Sequence, residues 1–393
     1  VLPEPGDVRL QQVLHKVRLL ALRRLLTLEA SGALRAPLGR LQQALTQALT
    51  SDARAVLAAV GSCDVLCPLL ALHGQLVTAE AALSGAIPAL LCTLSALGFR
   101  PAGAILWDVP ITRMADATRG QVTTFEPPAQ GLSFDARGID LRLADGSYFA
   151  YGAAPRSGVS VERPFHRLHA DLPAAFALYD SNPLSSLEAH PNKQGNAIDL
   201  GERSVEVWCG ALSEALELVK AALPALAAEL RSSLLRVVPV GFHAEQHLSA
   251  SYREAPGLIY LTLHPSPLTL AEAIVHETQH GKLNALSWLD PVMHNGHSEW
   301  TRSPVRPDMR PLMGVLLALH AFAPVSELHR RLAEQGHPIA STPEFRSRRA
   351  EVLEQNSRAI AALRPLANFS ELGARVFAGL EALHAAARKN ADH

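Results

Sequence analysis

Residues 258–286 constrain this 393-residue chain more than any other stretch: they read "LIYLTLHPSPLTLAEAIVHETQHGKLNAL". Leu258–Leu263 is a short apolar run with the length and β-propensity of a strand. Pro265 and Pro267 mark a turn. Thr269-x-x-Glu272 has the form of a capping box, which predicts the start of a helix. A strand that feeds directly into a helix is a specific local architecture, and it raises the weight of the five letters that follow.

Those letters are His276, Glu277 and His280, an HExxH string. Residues four apart share a helix face, so both imidazoles can address one ion. Glu277 is turned about 100° from His276. It stands beside such an ion, where it could hold or deprotonate a bound water, and is the candidate catalytic residue.

Two histidines do not complete a metal site. The metzincin form HExxHxxGxxH is excluded, since Leu283 and Leu286 occupy its glycine and third-histidine positions. A gluzincin-type ligand is available in Glu299, but its surroundings, "MHNGHSEWTRSPVRPD", read as loop rather than helix. His320 is the preferred third ligand. It lies within "PLMGVLLALHAFAP", an almost wholly apolar helix predicted to start at Pro311, where a histidine needs a polar partner. Its other explanation is a core histidine bonded to a nearby backbone group. Pro324 removes the partner of the His320 carbonyl and allows a kink. His294 and His297, in a glycine-containing loop, are weaker candidates.

Arg306 and Arg310 each precede a proline in "SPVRPDMRPL". Pre-proline residues are held extended, and guanidinium groups clamp carboxylates in a bidentate fork. The pair therefore predicts a carboxylate ligand near the metal, unless both arginines only bridge to Asp308 or to surface acids.

Composition narrows the field. A formal net charge of −1 and 5% aromatic residues give no basic, aromatic-laced surface for nucleic acid. Four cysteines without paired CxxC spacing predict reduced thiols in a cytoplasmic protein. The first residues show no basic region followed by an apolar core, and a chain that opens at Val1 is read as trimmed or as part of something longer. Residues 81–99 carry no charge, but Gly85, Pro88 and three hydroxyl residues dilute them. A buried helix is expected there rather than a membrane span.

Three segments are expected. Residues 1–100 read as helices, with an N-cap at Ser51 or Asp52 and a stop at Gly61. Residues 101–200 form a β-rich segment with a hairpin at Asp145-Gly146 and a long polar loop over 179–201. Residues 201–393 carry a helix halted near Pro224, a strand in "LLRVVPVGF", the metal helix and C-terminal helices. The fold class is α+β: a helical N-terminal region, a β-rich middle, then a zincin-like strand–helix metal site followed by helices.

Three stretches together, "NPLSSLEAHPNKQGNAIDLG", "SASYREAPGLIYLTLHPSPLTLAEAIVHETQHGKLNAL" and "SPVRPDMRPLMGVLLALHAF", resemble the HExxH-containing peptide-modification family. This family comprises 2-oxoglutarate-dependent peptide β-hydroxylases of ribosomal peptide natural-product pathways. The similar stretches span roughly residues 180–325. The family pattern leads one to expect an aromatic where this chain has Val305. The resemblance implies Fe(II) rather than zinc, with His276 and His280 as ligands. It implies 2-oxoglutarate chelating the iron, with its far carboxylate on Arg306 or Arg310, and a precursor peptide hydroxylated at a Cβ–H as succinate and CO₂ form. A companion peptide-modifying enzyme is a possible partner; nucleic acid and membrane are not. An all-histidine triad departs from the two-His-one-carboxylate site usual for such oxygenases, which keeps Glu299 in consideration. Two alternatives stay open: a zinc metallopeptidase with Glu277 as general base, and a non-catalytic peptide-binding module. The strand 258–263 serves both enzyme readings, since an extended peptide can pair with a strand edge beside the metal.

Overall fold

The computed structural model describes residues 1–187, 189–190, 193–304 and 308–389. It opens with helices α1 (Arg9–Leu26), α2 (Arg35–Val60), α3 (Cys63–His73) and α4 (Ala79–Ala96). Nine short strands follow: β1 (Ile105–Trp107), β2 (Ile111–Asp116), β3 (Gln121–Ala129), β4 (Gly131–Asp135), β5 (Gly138–Arg142), β6 (Tyr148–Ala150), β7 (Val159–Glu162), β8 (Phe165–His169) and β9 (Leu172–Ala177). A small hairpin, β10 (Ala189–His190) and β11 (Lys193–Gln194), lies within the polar loop. Next come α5 (Val205–Ala222), α6 (Pro224–Ser233), β12 (Arg236–Phe242), β13 (Ser249–Ser251), β14 (Leu258–Leu263) and α7 (Pro267–Ser287). The chain ends with β15 (Trp300–Arg302), β16 (Met309–Pro311), α8 (Leu312–Glu334), α9 (Pro343–Leu366) and α10 (Glu371–Lys389). The class is mixed α+β, as expected.

The three expected segments are distributed over two compact units. One comprises His15–His166 and Phe176–Ile198; the other comprises Val1–Leu14, Arg167–Ala175 and Asp199–His393. In the first, Asp52 leaves helical geometry and its carboxylate accepts the Ala55 N–H at 2.9 Å. This is the cap expected at that point, and it restarts α2 after a kink. Asp145-Gly146 turns β5 into β6, with Gly146 at φ +82°, a conformation that favours glycine. The helix α4 is buried along most of its length, as its uncharged sequence predicts.

By length and composition alone, α4 and α8 could each cross a membrane; 56% and 72% of their apolar windows are buried within the protein. The second was not singled out as a possible span in the sequence, although its first half was read there as an almost wholly apolar helix.

A five-stranded sheet runs β13-β14-β12-β9-β8, with β12, β13 and β14 wholly in the second unit. β14 is parallel to β12 and antiparallel to β13, so the strand 258–263 is paired on both sides and offers no edge to a peptide; β13 stands at the end of the order instead. All six residues of β14 are buried, which explains its unbroken apolar sequence. The chain leaves β14 and enters α7 after three residues. The capping-box expectation is corrected here: Ser266 is the N-cap, its Oγ accepting the Thr269 N–H at 3.3 Å, with Pro267 at the first helical position. Proline favours that position because its missing N–H costs nothing there. Glu272 is thereby released for other work. Pro311 is the N-cap of α8 rather than its first residue, so that helix starts one residue later than expected.

Candidate metal and peptide site on helix α7

Glu272, His276 and His280 follow one another at four-residue intervals and line one face of α7. The two imidazoles meet: His276 Nε2 and His280 Nε2 are 2.9 Å apart, with the ring planes 88° to each other. Burial, and then the neighbouring His280, hold the His276 imidazole well below its usual 6.5; burial also lowers His280. Both rings are therefore neutral at pH 7, the state in which imidazole ligates a metal. Two nitrogens held by one zinc ion at ~2.0–2.1 Å in tetrahedral geometry would lie ~3.3 Å apart. The observed pair needs to open by only a few tenths of an ångström, so the residues present fit a single ion held through both Nε2 atoms.

Glu277 projects toward the sheet. One carboxylate oxygen accepts the Ser249 Oγ hydroxyl at 2.6 Å and the other accepts Ser251 Oγ at 2.6 Å, both from β13. Alternate residues of a strand face the same side, so the Ser-x-Ser spacing presents both hydroxyls together. At 3% exposure, Glu277 is a buried anion held by two donors.

The remaining expected residues do not join this pair. His320 is buried on α8, and a ring N–H bonds the backbone carbonyl of Gln279, while its Nδ1 has no hydrogen-bond partner. That is the backbone-bonded core histidine that the sequence offered as its other explanation. Glu299 is exposed in a turn before β15, and His294 and His297 are exposed in the same turn. Arg310 donates to Asp308 at 2.9 Å, the bridge considered as the alternative to a ligand clamp. Arg306 lies outside the described residues. Among the described residues, no third His, Cys, Asp or Glu offers a ligand atom within 4.8 Å of both imidazole nitrogens.

Sequence reasoning missed the groups behind the pair. Glu272 accepts His329 Nε2 at 2.7 Å with one oxygen and Arg348 Nε at 2.9 Å with the other. Burial pushes the Glu272 carboxyl up, but these two partners outweigh it and hold it below the usual carboxylate range. The Arg348 guanidinium lies over the Phe322 ring at 5.8 Å, and Phe322 packs edge-on against His276 at 4.5 Å. His276 is thus backed by an aromatic ring and an ion cluster that joins α7, α8 and α9. The four-residue step from Glu272 to His276 was the available signal; the helix-start pattern obscured it.

A second cluster has metal-like proximity: His169, Asp171 and Glu217 place ligand atoms within 4.8 Å of one another. Here Lys220 Nζ already reaches Asp171 at 2.7 Å. His169 Nδ1 accepts the Asp171 N–H at 3.1 Å, which leaves Nε2 to carry the proton toward Glu217 at 3.0 Å. No imidazole lone pair is left to offer.

No protein-family model and no curated protein sequence matches the chain.

Proposed function

We propose that this chain is an Fe(II)- and 2-oxoglutarate-dependent enzyme that hydroxylates a Cβ position in a ribosomally made precursor peptide. The family resemblance supplies the reaction class. The observation that supports it over hydrolysis is the state of Glu277. A metallopeptidase needs this carboxylate free to take a proton from a metal-bound water. Here each of its oxygens is already held by a serine of β13 at 2.6 Å. Glu277 then acts as a tie between the metal helix and the edge strand.

In this reading His276 and His280 would be two of the ligands that hold the iron, through Nε2, with no third protein ligand among the described residues, and the metal with its oxoacid would supply oxygen activation when bound. Phe322 and the Glu272 cluster fix the His276 ring. β13 stands at one end of the sheet order and pairs with β14 alone among the described residues, so it offers an edge to which an extended peptide can add. Arg310, bridged to Asp308, would have to exchange that exposed partner for the oxoacid carboxylate. Such an exchange is cheap, because exposed ion pairs contribute only ~0–1 kcal/mol.

The test is incubation of the full chain with Fe(II), 2-oxoglutarate and oxygen and a library of unmodified peptides, followed by mass spectrometry. Peptides that gain one oxygen atom, with matching succinate, support the proposal. Shortened peptides produced in zinc without 2-oxoglutarate would replace it with a metallopeptidase.

A further inference from the structure

On the second unit, away from the α7 chemistry in sequence, α9 and α10 bound a groove of about 410 Å³. Its lining includes Arg346, Arg349 and Arg388, with Ser357, Leu353 and Glu354. The α9 members recur at helical spacing, so they form one stripe along its face; Arg388 comes from the last turn of α10.

The charge balance of this groove is unusual. The acids of α9 that could neutralise it are engaged elsewhere: Glu351 with Arg348 at 2.9 Å and Glu354 with Arg358 at 3.5 Å. On α8, Glu327 takes both Arg330 and Arg331, and Glu334 takes Arg330. Arg346, Arg349 and Arg388 form no ion pair with any described residue. Arg349 lines the groove with the exposed part of its side chain, while its Nη2 is turned inward, buried and without a hydrogen-bond partner. An unpartnered buried guanidinium nitrogen costs free energy, and burial together with nearby Arg330 lowers the pKa of this group. Behind the lining residue Ser357, the buried His384 places its Nε2 3.0 Å from Ser357 Oγ. The Ser357 hydroxyl proton is directed to the Leu353 carbonyl at 3.0 Å, so Nε2 is the donor there.

We infer that the α9–α10 groove is a binding site for a phosphate-class dianion, held by Arg346, Arg349 and Arg388. With Glu354 paired to Arg358, the three guanidinium groups leave the groove with an excess of positive charge, tempered at Arg349 by the carboxylate of Glu334. A phosphate monoester carries about −1.5 to −2 near neutral pH and presents three strong acceptor oxygens on one atom. A carboxylate presents two acceptor oxygens and one charge. Guanidinium forks bind such tetrahedral anions in charge-assisted hydrogen bonds, and the groove has room for the organic part of a phosphate ester. This site is independent of the reaction assigned to α7.

The experiment is calorimetric titration of the full chain, in a phosphate-free buffer of low ionic strength, with inorganic phosphate and, separately, with succinate. One phosphate per chain is expected. Its affinity should fall at least tenfold in Arg349→Gln and in Arg388→Gln, and stay unchanged in Arg375→Gln, whose guanidinium pairs with Glu371 and does not line the groove. Folding of each variant is checked by its melting midpoint without phosphate, and the phosphate-induced rise in that midpoint gives a second readout of binding. Binding of succinate but not phosphate, absence of binding by either anion, or phosphate binding that persists in both groove variants overturns the assignment.

Discussion

Two groups of side chains in the second unit bring nitrogen and oxygen ligands within coordinating distance, and they differ in what their atoms are already doing. His169, Asp171 and Glu217 satisfy the distance condition as a trio, yet Lys220 neutralises the acids and the single imidazole has both nitrogens engaged. His276 and His280 form only a pair, but they are partly buried, neutral, and face one another through Nε2. Proximity is common on a charged surface. Two neutral imidazoles that meet only each other, against a rigid background, are not, and the pair on α7 has that background in Phe322, Glu272 and Arg348.

The sharpest way to break this comparison is to remove one histidine from each group. His276→Ala should weaken binding of a divalent ion by roughly a hundredfold or more, because a single imidazole remains. His169→Ala should leave it unchanged. Competition with a chromophoric chelator measures both, and the reverse pattern would move the metal to the exposed trio. Next in size is the background of the pair. Glu272→Ala strands His329 and Arg348 and should cost roughly 2–4 kcal/mol of unfolding free energy, below the full value for a buried pair because Arg348 reaches solvent. Urea denaturation reads this, with Lys220→Ala, on the exposed trio, expected to shift the midpoint by no more than the scatter.

The smallest effect is on pH dependence. Burial lowers His276, His280 and His320 in the folded protein below the usual 6.5. Below pH 6.5 the unfolded chain therefore binds protons that the folded chain refuses, and stability rises with pH. The metal-free protein should be at its full stability from this source above pH 6.5 and lose it progressively on acidification. Urea midpoints across pH 5 to 8 test the sign, and His320→Phe should flatten the curve. A midpoint that rises on acidification would contradict the burial of these rings.

Much of this was legible in the sequence where a local rule applied. The strand 258–263, the metal helix, the Asp52 restart and the Asp145-Gly146 hairpin each follow from propensity, capping or turn chemistry within a few residues. What was not legible depends on long-range contact. Glu272 looked like a cap because Thr269 stands three residues before it; only α8 and α9, folded back over α7, bring His329 and Arg348 to it. Ser249 and Ser251 carry no signal until β13 is paired beside α7. His320 sat in a sequence that demanded a polar partner, and the partner is a backbone carbonyl, which no side-chain pattern announces. The division into two units also escaped sequence reading, since residues 167–175 belong with a part of the chain that begins more than twenty residues later.

The central claim is that the histidine pair on α7 serves an oxidative metal centre in which Glu277 is a tie and not a base. Anaerobic titration of the metal-free chain with Fe(II) and then 2-oxoglutarate, followed by visible absorption, tests it most directly. The account predicts a metal-to-ligand charge-transfer band that is absent in His276→Ala and retained in Glu277→Gln, whose amide still accepts a serine hydroxyl. No band in the unaltered chain, together with tight zinc binding and peptide cleavage that disappears in Glu277→Gln, would contradict it.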